Sequence, residues 1–372
     1  MLTFHSLRVA EIHPEAEDAV GISLEVPPDL QDQYRGLPGQ HVVLKTEIND
    51  EGTRRTYSVV SAPGEWPLRI AARVHTQGHM SRYLAEQLNV GDHLDVLPPN
   101  GSFTPRRARQ PKGVYVAFAS GCGITPVLAI IRSLLVQSGS SVVLFYGNTG
   151  TARAMCVEEL LGLKDRYLTR LSLHFVMSRE PQEVDLYNGR IDAGRVREFA
   201  RTLFKADEVT EYFVCGPGNM IEEVSATLRG LGVEAERIHG EHFTLATTAA
   251  DESRPEIVAA GPSGEASAAE LQKRPAAADE AEVTVLMDGR RRSFTMRMND
   301  DVILDAAARA GLELPFSCRA GVCSTCRTKV TRGSVEMAQN YALEDWEVEQ
   351  GYVLACQSRV TTPTLELDYD EK

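Results

Sequence analysis

No stretch of this chain approaches the roughly 18 consecutive apolar residues that a membrane-spanning helix requires, although 43% of its residues are hydrophobic. No membrane partner is expected. Basic side chains are also in short supply: 39 Lys and Arg stand against 52 Asp and Glu, a net charge of −13 with histidine neutral. Binding a phosphate backbone needs clustered cations, so nucleic acid is excluded as an expected partner. The opening stretch MLTFHSLRVAEIHPEAED lacks the basic, apolar and small-residue regions of a signal peptide, which predicts a cytoplasmic protein. Seven cysteines are too few, and odd in number, for a disulfide scaffold over 372 residues. No Ser-His-Asp or paired-carboxylate constellation points to hydrolysis.

What is present divides the chain. Its length predicts two or three domains, each able to bury a core. Residues 1–106 read as short strands (LRVAEI, AVGISLEV, HVVLKTEI, RTYSVVSA, LRIAARV, HLDVLPP) punctuated by Gly and Pro, which predicts a small antiparallel β-barrel or a sandwich, of which the barrel is expected. GHMSRYLAEQL interrupts them with helical spacing. After the basic joint RRARQPKG, residues 110–245 alternate strand and helix, the pattern of a parallel α/β sheet whose ligands sit at the carboxyl ends of the strands. Residues 246–281 are rich in Ala, Glu, Ser, Gly and Pro and predict a flexible linker, with transient helix in EASAAELQKR; as a coil it spans about 35 Å. Residues 282–372 hold a hairpin around Asp288-Gly289, the helix DVILDAAARAGL, a cysteine-rich loop and the strand TLELDYD.

Cys122, Cys156 and Cys215 are scattered, whereas Cys318, Cys323 and Cys326 form C-x4-C-x2-C, with Cys356 beyond. This spacing matches the plant-type [2Fe–2S] arrangement, and Ser317, Ala320, Gly321, Ser324 and Thr325 are small enough to let the backbone close over a cluster. Buried free cysteines are the plain alternative. A structural zinc site is another, though zinc more often uses two separated C-x2-C knuckles. VILDAAARAGLELPFSCRAGVCSTCRTKV followed by GYVLACQS resembles plant-type ferredoxins, whose fold is an α+β β-grasp. That resemblance makes Cys318, Cys323, Cys326 and Cys356 the cluster ligands.

Four further turns carry weaker signals. Arg55, Tyr57 and Ser58 offer a cationic fork for a flavin phosphate, a ring to stack on the isoalloxazine and a hydroxyl to reach flavin N5, yet R-x-Y-S also describes ordinary strands. Gly78 to Ser81 opens a helix and suits a pyrophosphate or simply a cap. ASGCGITP sets Gly121, Gly123 and Thr125 between strand and helix; Pro126 replaces the third glycine of the dinucleotide fingerprint, and a plain tight turn is the other reading. Cys215-Gly216-Pro217 ends a later strand, where Cys215 equally suits a small buried position.

In this order the four motifs resemble the ferredoxin–NADP reductase superfamily over about residues 5–245. The resemblance implies Arg55, Tyr57, Ser58, Arg73, Val74, Gly78, Met80 and Ser81 around FAD. It implies Gly121, Gly123, Thr125, Cys215, Gly216 and Pro217 at the nicotinamide. Glu241 and Phe243, in IHGEHF, stand near the flavin ring, with Ser58 and Glu241 the catalytic pair. Cys122 departs from the serine or threonine expected in the glycine turn. Ser178, Arg179 and Arg190 are placed like residues that bind the 2′-phosphate of NADPH. Asp192 could instead accept a ribose hydroxyl of NADH, and arginines on a surface loop need bind nothing.

A ferredoxin at the C-terminus resembles the reductase components of bacterial oxygenases. Through LPGQH, LAIIRSLL, YGN, NGRID, CGP, IHGEHF and NYALEDWEVEQGYVLACQ the whole chain resembles the reductase subunits of phenylacetyl-CoA epoxidase complexes. This implies FAD, NADPH and a [2Fe-2S] cluster, with electrons delivered to the di-iron oxygenase subunits of a multicomponent epoxidase. An FMN- and NADH-dependent reductase of a Rieske ring-hydroxylating oxygenase or demethylase is the alternative, and a non-enzymatic electron carrier or metal-binding scaffold a second. The acidic runs 344–349 and 366–371 read as solvated faces or as a docking surface for a basic patch.

Overall fold

In the computed structural model, residues 3–48, 51–106, 113–137, 139–243, 257–260, 280–298, 301–343 and 345–371 are described. The chain divides into two compact units, one running Leu2–Phe243 and one carrying Thr244–Lys372.

The first unit begins with six antiparallel strands, β1 (His5–Ala16), β2 (Ala19–Glu25), β3 (His41–Ile48), β4 (Glu51–Ser58), β5 (Leu68–Arg73) and β6 (His93–Asn100), ordered β4-β3-β6-β1-β2-β5. Alternation sends Leu7 and Val9 inward and leaves Ser6 and Arg8 outside. Beyond β4 the two edges meet: Val59 bridges to Ile70, and Val60 N donates to Arg69 O at 2.8 Å. This closes the expected barrel. A short helix α1 (Gln31–Tyr34), absent from the sequence expectation, carries Tyr34, whose hydroxyl donates to Val96 O at 2.6 Å. Helix α2 (His79–Glu86) buries Met80 and Leu84 in the barrel core.

Five parallel strands follow: β7 (Val114–Ser120), β8 (Ser141–Asn148), β9 (Leu171–Met177), β10 (Glu211–Gly216) and β11 (Ile238–His242), ordered β11-β10-β7-β8-β9. Tyr115, Val116, Ala117, Phe118 and Ala119 of β7 are buried on both faces, because helices cover both sides. One face packs on α3 (Ile124–Val136) and α4 (Val157–Arg166), the other on α5 (Ala193–Thr202) and α6 (Gly218–Gly230). From β7 the chain moves outward through β8 and β9, then returns with β10 to the opposite side of β7. Such a reversal opens a crevice at the carboxyl ends of the two central strands.

The second unit holds β12 (Ile257–Ala260), β13 (Glu280–Met287), β14 (Arg290–Arg297), α7 (Ile303–Arg309), β15 (Arg327–Arg332), β16 (Ser334–Met337), α8 (Asp345–Glu349), β17 (Tyr352–Leu354), β18 (Ser358–Val360) and β19 (Thr364–Asp368). Its mixed sheet runs β14-β13-β19-β15-β17, with β13 and β19 parallel, and Ile303, Leu304 and Ala307 of α7 pack into its core. This is the β-grasp arrangement. The hairpin β13–β14 turns on Asp288 (φ 54°) and Gly289 (φ 69°), two left-handed residues as a two-residue hairpin demands.

Most of the expected linker 246–281 lies outside the described residues. Within the expected linker, Ile257–Ala260 pair antiparallel with Ser334–Met337, and β13 starts at Glu280. Four consecutive residues that tolerate extended backbone suffice to join an exposed sheet edge, whatever the composition around them. The stretch EASAAELQKR lies outside the described residues. The acidic runs are not simple solvated faces: Glu347 is buried against Arg327 at 3.0 Å, Glu366 faces Arg291 at 3.5 Å and Arg332 at 3.6 Å, and Glu371 pairs with Lys329 at 2.6 Å. Among the described residues no helix is long and apolar enough to cross a membrane.

Candidate functional site

At the end of β4, alternation puts Arg55 and Tyr57 on one face and Ser58 on the other. Arg55 is exposed, with Nη1 donating to Arg54 O at 2.7 Å; Tyr57 is half-buried, and burial, opposed by nearby Arg55, pushes its phenol up. Ser58 Oγ is buried and makes no hydrogen bond among the described residues. Such a hydroxyl costs about 1–3 kcal/mol unless a partner arrives, which suits a residue meant to meet a cofactor. Glu241, near the end of β11, is 9% exposed, with Oε1 3.6 Å from His41 Nδ1 and Oε2 lacking a partner among the described residues. Phe243 packs against the core shared by the barrel and α3.

Arg73 and Val74 meet Asp18. Arg73 Nη1 pairs with Asp18 Oδ1, its Nη2 donates to Arg153 O at 2.8 Å, and Val74 N donates to Asp18 O at 2.8 Å. Asp18 also pairs with Arg153, so one carboxylate joins the barrel to the α/β domain. Further along, Ser81 Oγ accepts from His75 N at 3.1 Å and donates to Gly78 O at 3.2 Å. Ser81 and Met80 therefore build the loop and the core through their side chains. What remains for a phosphate is the N-terminus of α2 with its first-turn N–H groups.

In the crevice, Gly121 takes φ +55° with open space where a Cβ would stand. Gly123 is the reverse case: a Cβ there would lie 2.1 Å from Cys215 O and 3.0 Å from Gly216 N, so the two turns touch backbone to backbone. Thr125 Oγ1 donates to Cys122 O at 2.9 Å and braces the turn. Pro217 starts α6. Burial pushes the Cys215 thiol well up, with Glu241 and Cys122 adding to it, and burial raises Cys122 as well. Cys215 pairs in register with Glu241, so the Cys215-Gly216 turn and this carboxylate are neighbours. Cys156 is buried ahead of α4 with φ 59°, its N–H donating to Glu15 Oε1 at 2.8 Å, a structural place.

At the end of β9, Ser178 N and Arg179 N donate to Asn148 O and Thr149 O, each at 2.9 Å, and Gly189 N donates to Met177 O at 2.7 Å. These bonds bring Ser178-Arg179 beside Gly189-Arg190. Both arginines are exposed and carry no acidic partner among the described residues. Asp192 caps α5, accepting from Arg195 N at 2.9 Å and Arg195 Nη1 at 3.0 Å.

The cysteine loop folds on left-handed Arg319 (φ 55°), Gly321 (φ 73°) and Ser324 (φ 48°). The Cys318 thiol interacts electrostatically with those of Cys323 and Cys356, and the Cys356 thiol with that of Cys326. Backbone N–H groups already point at sulfur: Cys318 N to Cys323 Sγ at 3.5 Å and Ala320 N to Cys318 Sγ at 3.4 Å. Among the described residues no set of three or more His, Cys, Asp or Glu is disposed around a single metal ion. Four thiols of one loop and the strand end beyond it, with amides turned toward two of them, fit the donor set of a two-iron cluster.

Sequence reasoning missed His41, Asp18 and Arg153. The motif LPGQH marks the start of β3, but nothing local shows what its histidine meets.

Comparison with known proteins agrees with this arrangement. Three family profiles match: an oxidoreductase FAD-binding domain over 7–104, an oxidoreductase NAD-binding domain over 118–226 and a 2Fe-2S iron-sulfur cluster binding domain over 285–361. The chain is 38% identical to a component of the 1,2-phenylacetyl-CoA epoxidase of Escherichia coli K12, covering 100% of this chain and 99% of that protein. It is 30% identical to the ferredoxin reductase component of 3-ketosteroid-9-alpha-monooxygenase from Rhodococcus rhodochrous, covering 98% and 96%. Among solved structures, phthalate dioxygenase reductase superimposes with a TM-score of 0.57 at 21% identity over 98% of both chains. An intact type IV self-sufficient cytochrome P450 monooxygenase gives 0.68 at 19%, covering 98% of this chain and 41% of its own. The fold of the three domains is shared. With FAD- and NAD-binding profiles matched, the non-enzymatic scaffold is set aside.

Proposed function

The chain belongs to the family of that 1,2-phenylacetyl-CoA epoxidase component, oxidoreductases with FAD-binding, NAD-binding and 2Fe-2S domains, and we propose that it passes electrons from NADPH to a di-iron oxygenase. In this reading the oxygenase epoxidises phenylacetyl-CoA, and the acyl-CoA binds the oxygenase rather than this chain. When bound, FAD supplies the conversion of a hydride into single electrons, and the cluster supplies their carriage one at a time.

The chain's own residues hold and shield. Arg55 and the N-terminus of α2 neutralise the flavin phosphates, while Tyr57 offers its ring. The Gly121–Gly123 turn and Cys215-Gly216 form the floor on which the nicotinamide lies. Ser58 and Glu241 stand at the flavin edge, a hydroxyl and a carboxylate that can hold or move a proton. Cys318, Cys323, Cys326 and Cys356 would ligate iron. All seven cysteines are free of disulfides, which suits a reducing cytoplasm.

The observation that carries the choice of NADPH is the pair Arg179 and Arg190, exposed and without acidic partners among the described residues, near an Asp192 already engaged as a helix cap. The test is reduction of an artificial acceptor with either nicotinamide, alongside a pull-down from cells grown on aromatic acids. Preference for NADPH and co-purified di-iron oxygenase subunits are expected. Preference for NADH with recovery of a Rieske oxygenase would overturn the reading.

A further inference from the structure

We infer that His41 is a positioning residue that fixes the Glu241 carboxylate beside Ser58. The inference rests on the placing of Glu241 and Ser58 at the flavin edge.

His41 opens β3 and stands opposite Ser58, the last residue of β4. The adjoining pair is hydrogen-bonded, with Val59 N donating to Gln40 O at 2.9 Å, so His41 and Ser58 form the narrow pair that follows. Side chains of such a pair leave the sheet on the same face with Cβ atoms about 5 Å apart. On its other side the ring faces the carboxylate, Nδ1 to Glu241 Oε1 at 3.6 Å. That separation is slightly beyond a hydrogen bond, and contacts of this kind contract when a site is loaded.

The ring's seat is built for it. His41 is 3% exposed, and Gly101, at φ +117° just past β6, leaves space the imidazole fills: a Cβ there would lie 2.9 Å from ring Cε1 and Nδ1. His41 belongs to the barrel and Glu241 to the parallel sheet, so the contact spans the two domains that must present flavin and nicotinamide to each other. A buried carboxylate with one unmatched oxygen needs a donor or cation nearby to keep its place, and the buried Cys215 thiol in register with it is a poor one. The imidazole fills that need and leaves Oε2 for the cofactors.

The test is a double-mutant cycle in the full chain loaded with FAD, read by NADPH-driven ferricyanide reduction and by the visible absorption of the bound flavin. Glu241→Gln and His41→Phe are each expected to lower kcat about tenfold with KM for NADPH within about twofold, since small displacements near reacting atoms act on rate. Combined, they should cost no more than Glu241→Gln alone. Both should displace the flavin band alike, and His41→Gln, which keeps a polar group at the seat, should recover most of the rate. If the double variant loses the product of the two factors, or His41→Gln is no better than His41→Phe, the inference falls while the flavin-edge reading stands. If Glu241→Gln leaves kcat unchanged, both fall. Should His41→Phe fail to retain FAD, His41→Asn replaces it in the cycle under the same criteria.

Discussion

Gly123 stands so close to the carbonyl of Cys215 that a Cβ on the glycine would lie 2.1 Å from that oxygen. The contact knits the start of α3 to the end of β10. Because the atom in the way is backbone, Gly123→Ala must separate the two turns, at a cost of about 1–3 kcal/mol. Expected are a melting point lower by several degrees and a KM for NADPH raised about tenfold or more, with FAD retained because its residues lie on other strands. An unchanged KM would mean that the nicotinamide does not use this floor.

Arg179 and Arg190 reach the same edge beyond β9 through the bonds of Ser178, Arg179 and Gly189. A charge-assisted hydrogen bond to phosphate contributes about 1.5–3 kcal/mol, so replacing either arginine by alanine should raise KM for NADPH about tenfold or more. KM for NADH should move less than twofold. Equal changes for the two nicotinamides would remove the 2′-phosphate from this position.

Cys323→Ser removes one of the four thiols proposed to hold the cluster; Cys323 belongs to the second unit, and the first has its own cores. The visible absorbance of the iron-sulfur centre should vanish while ferricyanide reduction by NADPH stays within about twofold. Parallel loss of flavin turnover would contradict separate modules.

Asp18 gives a dependence on pH. Burial raises its carboxyl, but hydrogen bonds from Arg153 and Arg73 outweigh this, so its pKa in the folded chain lies below the ordinary 3.8. A group with a depressed folded pKa stabilises the native state above its unfolded pKa and stops doing so as pH falls through the folded value. Asp18→Asn should therefore be less stable near neutrality, by about 1 kcal/mol or less for a partly solvated pair. The gap should close below pH 3.8. Urea midpoints across that range check it, and an undiminished gap in acid would assign the contact to shape rather than charge.

The barrel strands are legible in sequence because alternation and Gly/Pro punctuation are local signals, and Leu7, Val9 and Val42 lie where they imply. The cysteine loop is legible because Cys318, Cys323 and Cys326 are close in sequence. His41 is not, since its meaning depends on a register with Ser58 and on Glu241 arriving from another sheet. Asp18 hides likewise in a hairpin turn whose partner Arg153 lies beyond β8. Ser81 and Thr125 show another limit: both hydroxyls bond within their own turns, a use that only the folded backbone reveals.

The return of β10 to the far side of β7 has a consequence for the order of synthesis. A chain emerging from the ribosome displays the Gly121–Gly123 turn early, but the strand that closes against it comes only after β8, β9 and their helices have been made. The packing of Gly123 against Cys215 and Gly216 is therefore missing from any truncated nascent chain that stops before β10. The crevice proposed to bind the dinucleotide thus gains its second wall only late in synthesis, with α6 and β11 still to follow.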